Sequence, residues 1–364
     1  MKGFSVYLGQ QSEEKQQRLL SKMKRAGFQT VFTSLHIPED DAGTYKTALR
    51  VLGKQVREHE MELFADVSPA SFSHLGLCWE HAGELLHWGV SGLRADVGFS
   101  PDQIVSFSKQ MKVALNAGTV DRETLQNYLE KGLHVENTEA WHNFYPRPET
   151  GLPLQDVQQK NALFHSFGIR TVAFVAGDGV KRGPVYAGVP TVEDQRHVHP
   201  FAAALVLWRM ADTDKVLVGD TDISEKSMQA FQIFENKAVV SMMVRIGPFE
   251  DESVQALVLQ THQQRMDKAD YVVRSQTSRP YARCGNVKIP ANGGGARPTG
   301  TITIDNEQYG RYQGELQITK TDLSASEKVN VVGHVLAGDL PILNVLREGE
   351  RFCFIERLEK ESEQ

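Results

Sequence analysis

Cysteine is nearly absent: Cys78, Cys284 and Cys353 are the only three in 364 residues, far apart and in no C-x-x-C spacing. So few thiols exclude a disulfide framework and a cysteine-built zinc site, and they fit a reducing compartment. No run of 18 apolar residues occurs, which excludes a membrane-spanning helix. The opening segment Met1-Lys2-Gly3-Phe4-Ser5-Val6-Tyr7-Leu8 has too few apolar residues for a secretory signal and reads as a first strand. An excess of positive charge is missing too, with 40 Lys and Arg against 46 Asp and Glu and a formal net charge of -6. That balance argues against binding nucleic acid or anionic lipid through a general basic surface, while permitting a local basic pocket for a small anion. The chain is therefore expected in the cytoplasm, with no nucleic-acid partner and no membrane partner; pairing of two copies as a homodimer is left open.

What is present is an alternation of strands and helices. Strands are expected at 3–8, 30–36, 62–67, 92–97, 112–116, 133–136, 170–176 and 215–219. Helical periodicity lies between them, as in Ser12–Gly27, where Leu19, Leu20, Met23 and Ala26 share a face and Gly27 supplies the stop. Further helices are expected at 44–60, 73–87, 101–110, 122–131, 154–167, 198–209 and 224–236. Crossover-length connections imply parallel pairing, and eight units in about 235 residues match a closed barrel. An open doubly wound sheet would want a G-x-G-x-x-G turn after the first strand, and none stands there. From residue 237 the pattern turns strand-rich, with runs at 239–246, 271–275, 300–304, 314–318 and 352–355 and one helix at 252–265. The expected fold class is α/β: a (β/α)8 TIM barrel over residues 1–236, carrying the catalytic site, then a small β-rich domain over 237–364 that forms a closed or nearly closed barrel.

In such a barrel the chemistry sits where strands run into their following loops. The strand ends here are rich in acids and amides: His36 and Glu39, Asp66, Arg94 and Asp96, Asn116, Asp178, and Glu193 farther along the seventh loop. Alternation puts Arg94 and Asp96 on one face, with Arg94 a layer deeper and able to pair with Asp66 or Asp96. The loop His142-Asn143-Phe144-Tyr145-Pro146-Arg147-Pro148 offers hydrogen bonds from His142 and Asn143, ring faces from Phe144 and Tyr145, and an arginine between two stiffening prolines. Lys181 and Arg182 lie in a glycine-rich loop after the seventh strand, where barrels often bind phosphate. Paired carboxylates across a glycosidic bond, acids around a divalent metal, and acids that only hold sugar hydroxyls are all open chemistries. No H-E-x-x-H set occurs, His197 and His199 read as the solvated start of a helix, and no metal or other cofactor is expected.

Several of these segments together carry a resemblance. They are Phe4-Ser5-Val6-Tyr7, Phe32-Thr33-Ser34-Leu35-His36-Ile37-Pro38-Glu39, Ala65-Asp66-Val67-Ser68-Pro69, Gly92-Leu93-Arg94-Ala95-Asp96, the His142–Pro148 loop with Thr150-Gly151-Leu152, and Gly188-Val189-Pro190-Thr191-Val192-Glu193. With them the chain resembles the bacterial 6-phospho-N-acetylmuramidases over essentially its whole length, the His142 loop being the most specific feature. The resemblance implies a TIM barrel with a C-terminal cyclophilin-like domain. It also implies cleavage of N-acetylmuramic acid 6-phosphate β-1,4-linked to N-acetylglucosamine, a disaccharide imported and phosphorylated by a phosphotransferase system during cell-wall recycling. Catalytic carboxylates are then expected among Asp66, Asp96, Glu193 and Glu39. Substrate contacts are expected from His36, Arg94, Asn116, His142, Asn143, Tyr145, Arg147, Asp178, Lys181 and Arg182, with Arg147 first among the basic groups.

Overall fold

Eight parallel strands close on themselves in chain order: β1 (Lys2–Ser5), β2 (Thr30–Ser34), β3 (Glu62–Val67), β4 (Gly92–Ala95), β5 (Lys112–Asn116), β6 (Thr138–Trp141), β7 (Arg170–Val175) and β8 (Lys215–Val218). The computed structural model describes residues 1–35, 42–96, 98–249, 251–281 and 288–357, and it divides into two units, Met1–Met228 and Gln229–Gln364. Closure is made by β1, which pairs with β2 on one side and β8 on the other. Gly3 sits at that seam because a Cβ there would lie 2.6 Å from the Thr30 carbonyl oxygen.

The helices are α1 (Glu13–Arg25), α2 (Ala42–Glu58), α3 (Pro69–His74), α4 (Glu84–His87), α5 (Pro101–Gln110), α6 (Arg122–Glu130), α7 (Leu154–His165), α8 (Pro200–Met210) and α9 (Glu225–Lys237). Local chemistry sets their ends. Ser12 caps α1, Ser100 and Gln103 form a reciprocal capping box with Pro101 in the first turn of α5, and Asp121 caps α6. Gly27 adopts a φ of 81° just past α1, the left-handed stop its position predicts. The helix expected at 73–87 is broken into α3, a 3-10 turn at Trp79–His81 and α4. Ser68 and Ser71 close a capping box five residues earlier than the periodicity indicated, and Gly76 at φ 68° ends the first piece.

The sixth strand corrects the sequence expectation. Residues 135–137 form a 3-10 turn, and the strand is Thr138-Glu139-Ala140-Trp141. Glu139 disguised it, because a carboxylate inside a barrel strand breaks the apolar signature. Its partner is Lys215 at the start of β8, with Nζ 2.8 and 2.9 Å from the two carboxylate oxygens, while Trp141 Nε1 donates to Oε2 at 2.8 Å. Above this buried pair the interior is filled by Tyr7, Phe32, Phe64, Ala114, Trp141, Val172, Phe174 and Leu217. The rings interlock, with centroids 4.8 Å apart for Phe64 and Trp141 and 5.3 Å for Phe32 and Phe174. Emptying one such ring site costs about 3–5 kcal/mol, so this layer is a solid floor rather than a pore.

The second unit is a mixed seven-stranded sheet of β9 (Val239–Ile246), β10 (His262–Gln263), β11 (Val272–Arg274), β12 (Thr301–Asp305), β13 (Leu316–Thr319), β14 (Val329–Val335) and β15 (Arg351–Glu356), with α10 (Glu252–Leu259) and α11 (Ile342–Val345). The order across the sheet is β10-β15-β9-β14-β12-β13-β11. Among the described residues of this unit, only β9 and β15 pair in parallel. A single antiparallel bridge, Gln264 to Ser275, links the residues that follow the two edge strands, so the sheet curls back on itself. The sequence pattern misses β10, β14 and α11, and the helix expected through residue 265 ends at Leu259, after which β10 begins. Among the described residues no helix is long and apolar enough to cross a membrane.

Candidate active site at the barrel mouth

The centre of the site follows from strand register. Asp66 on β3 and Arg94 on β4 are direct partners in the parallel ladder, and Asp96 lies two residues beyond Arg94 on the same face. Arg94 is buried, and its Nη1 lies 2.7 Å from Asp66 Oδ1 and 3.8 Å from Asp96 Oδ1. Two carboxylate oxygens meeting one nitrogen at those distances are at most about 6.5 Å apart. Arg94 Nη2 donates to Asn143 Oδ1, which draws the loop after β6 to the same guanidinium. Asn116, at the end of β5, accepts from the Gly118 N–H at 2.9 Å, and this fixes its amide so that Nδ2 donates to Asp96 Oδ1 at 2.9 Å. The carboxylates differ in access: 7% of the Asp66 side chain is exposed against 31% for Asp96.

Tyr145 is half-buried near this group. Burial pushes its phenol up from the ordinary value, and the positive charge of Arg94 pulls the other way. Across the mouth Tyr7 caps the barrel interior, its hydroxyl donating to the Gly219 carbonyl at 2.7 Å and pushed up to about 12 by burial. Phe144 packs on the same cluster, 5.1 Å from Phe174 between ring centroids. The Arg182 guanidinium lies over both rings, 4.6 Å from the Tyr7 centroid and 4.9 Å from that of Phe144.

Other expected residues serve the scaffold. Glu193 accepts from Arg196 through both oxygens, at 2.7 and 2.6 Å, and from the backbone N–H groups of Glu149 and Gly151 at 2.8 and 2.7 Å. The Arg196 bonds foremost, against a smaller effect of burial and with help from the two amides, bring its carboxyl down to about 2. A group so held is a poor proton donor. Arg196 is buried and also donates to the carbonyls of Tyr145, Gly188 and Arg147, so the pair staples the loop after β6 to the loop after β7. Sequence reasoning missed Arg196; its signal is the three-residue spacing from Glu193 across a 3-10 turn.

His142 turns away from the barrel interior. Its Nε2 meets Asn161 Oδ1 of α7 at 2.8 Å, it is fully buried, and burial lowers it to about 4. It belongs to the strand–helix interface. Asp178 accepts from the Ser224 amide and from the hydroxyls of Ser224 and Ser227, all at 2.7–2.8 Å, and so anchors the start of α9. Lys181 Nζ donates to the Gly177 carbonyl within its own loop. Asp220, the acid at the end of the eighth strand, accepts the amides of Gly177, Arg182 and Val189 and shapes that loop. Arg147 is exposed at the tip of its loop. His36 and Glu39 lie outside the described residues.

The site is thus a pair of acids and a set of aromatic faces at the strand ends of a closed parallel barrel. The chain belongs to the 6-phospho-N-acetylmuramidase family: the family's N-terminal profile matches residues 2–233 and its C-terminal profile residues 241–355. It is therefore an enzyme, a glycoside hydrolase, and the family implies a phosphorylated sugar as substrate. A conserved protein of unknown function from Enterococcus faecalis has a similar crystal structure, with 36% identity, 98% of this chain and 96% of that one covered, and a TM-score of 0.87. An uncharacterized B. cereus protein is similar at 26% identity over 98% and 99% of the two chains, with a TM-score of 0.76. No curated protein sequence matches the chain.

Proposed function

We propose that the protein hydrolyses the β-1,4 bond between N-acetylmuramic acid 6-phosphate and N-acetylglucosamine in the cytoplasm, as a step of cell-wall recycling, with Asp66 and Asp96 as its two carboxylates. The observation that carries this reading is the shared guanidinium nitrogen of Arg94, which keeps two acids on adjacent strand ends within about 6.5 Å. That upper bound favours the short separation of retaining glycosidases over the wider gap that admits a water between the groups. Asp66, buried beside the cation, attacks the anomeric carbon. Asp96, open to the mouth and oriented by Asn116, gives its proton to the departing oxygen as the glycosidic bond breaks. In the second half Asp96 takes a proton from water, the water oxygen bonds to the anomeric carbon, and the ester to Asp66 breaks with net retention. Arg94, Asn116, Asn143 and Tyr145 support the reading as the groups that position the acids and border the sugar.

Incubation with the 6-phosphorylated disaccharide and its unphosphorylated form, with products read by mass spectrometry, tests the activity. Proton NMR of the first-formed anomer tests the course. Asp66→Asn and Asp96→Asn are each expected to lower kcat by about 10²–10⁴-fold while folding is kept. Near-normal rates in both variants would remove this pair from the mechanism, and an inverted first product would remove the double displacement.

A further inference from the structure

We infer that Arg182 is the anion receptor of the barrel mouth and that it takes a phosphate monoester. The inference rests on the sugar-phosphate reading above and deepens it. Arg94 on β4 and Lys181 and Arg182 in the loop after β7 differ in what already occupies them. Arg94 is committed to Asp66, Asp96 and Asn143. Lys181 is turned onto the Gly177 carbonyl of its own loop. Arg182 is fixed without being neutralised: its guanidinium has no hydrogen bond or ion pair among the described residues, yet it lies over two aromatic rings.

With no hydrogen-bond partner of its own among the described residues, the guanidinium keeps its five N–H donors for a bidentate oxyanion. The backbone beneath is held as well, because Asp220 accepts the Arg182 N–H at 2.7 Å and the Gly177 N–H at 2.9 Å. A cation whose backbone is held and whose head rests over two rings before binding loses little freedom on meeting its ligand. Tyr7, one of the two rings, belongs to the cluster that fills the barrel interior, so the receptor stands on the floor of the mouth rather than at its rim. Arg147, by contrast, is an exposed side chain at a loop tip. A dianionic phosphate gains more than a monoanionic carboxylate from such a site, since charge and fork geometry both count.

The test is calorimetric titration of the full chain with inorganic phosphate, and separately with acetate, in the wild type, Arg182→Met, Arg182→Lys and Arg147→Met. Arg182→Met is expected to weaken phosphate binding by about 10- to 100-fold. Arg182→Lys, which keeps the charge but lacks the fork, is expected to fall between it and the wild type. Should Arg182→Met fail to fold, Phe144→Leu removes one supporting ring and is expected to weaken phosphate binding several-fold. Unchanged phosphate affinity in both Arg182 variants, a loss at Arg147→Met as large as at Arg182→Met, or acetate bound as tightly as phosphate overturns the inference. Phosphate binding that depends on Arg182 in a protein that cleaves no disaccharide would sink the proposed substrate and leave the receptor standing. Cleavage by a protein whose phosphate binding ignores Arg182 would do the reverse.

Discussion

At the scale of single residues, the decisive distinction is between acids that face open space and acids already surrounded by donors. Glu193 is of the second kind. Its folded value of about 2 lies below the ordinary 4.5, so its contribution to stability is complete above pH 4.5 and is lost as pH falls toward 2. Replacing it, as Glu193→Gln, is expected to lower the melting temperature at neutral pH and to flatten the fall in melting temperature between pH 4.5 and 2. An unflattened profile would mean that the staple carries no charge. Asp66, Arg94, Asp96 and Asn116 were legible in the sequence because period-two alternation and strand ends fix where such side chains go. Glu193, Asp178 and His142 were not, because the groups that claim them arrive from elsewhere in the fold: Arg196, the first turn of α9, and Asn161 on α7.

At the scale of elements, hydrophobic patterning located seven of the eight barrel strands and misplaced β6, the one that buries a charge. Lys215 and Glu139 join β8 to β6 beneath the aromatic floor, both nearly inaccessible. Removing Lys215 leaves the buried Glu139, among the described residues, with only the Trp141 Nε1 hydrogen bond and the partly exposed Arg170 at 3.8 Å, so Lys215→Met is expected to cost about 3 kcal/mol in denaturant unfolding. The double variant Glu139→Gln with Lys215→Met is expected to recover most of that loss. If the double variant is no more stable than the single one, the pair does more than neutralise itself. β14 was equally hard to see, for another reason. Its residues Val331 and Val332 are only partly buried, and the register slips between Ile302 and Thr303 of β12 beside it, so its burial does not alternate regularly.

For the molecule as a whole, two buried groups, one in each unit, respond to acid in opposite directions. In the barrel His142 is held neutral by burial, about 4 against an ordinary 6.5, so stability is full above pH 6.5 and falls as pH drops toward 4. In the second unit Asp305 is raised from 3.8 to about 7, first by burial and then by the nearby Glu315, against the pull of Arg274 and Arg297. Its stabilising protonated form is complete below pH 3.8 and is lost as pH rises toward 7. Protection factors from hydrogen exchange are therefore expected to rise with pH between 4 and 6.5 for β7 and to fall for β12. His142→Gln should flatten the first slope and Asp305→Asn the second, and a slope of the opposite sign in either unit would contradict that unit's assignment. The Glu193–Arg196 staple has a consequence for redesign. Because one guanidinium holds carbonyls of both loops, residues 142–152 and 188–196 behave as a single cassette. A graft that brings in a relative's version of one segment alone would inherit half of a clasp, so libraries aimed at new sugars should exchange the two together.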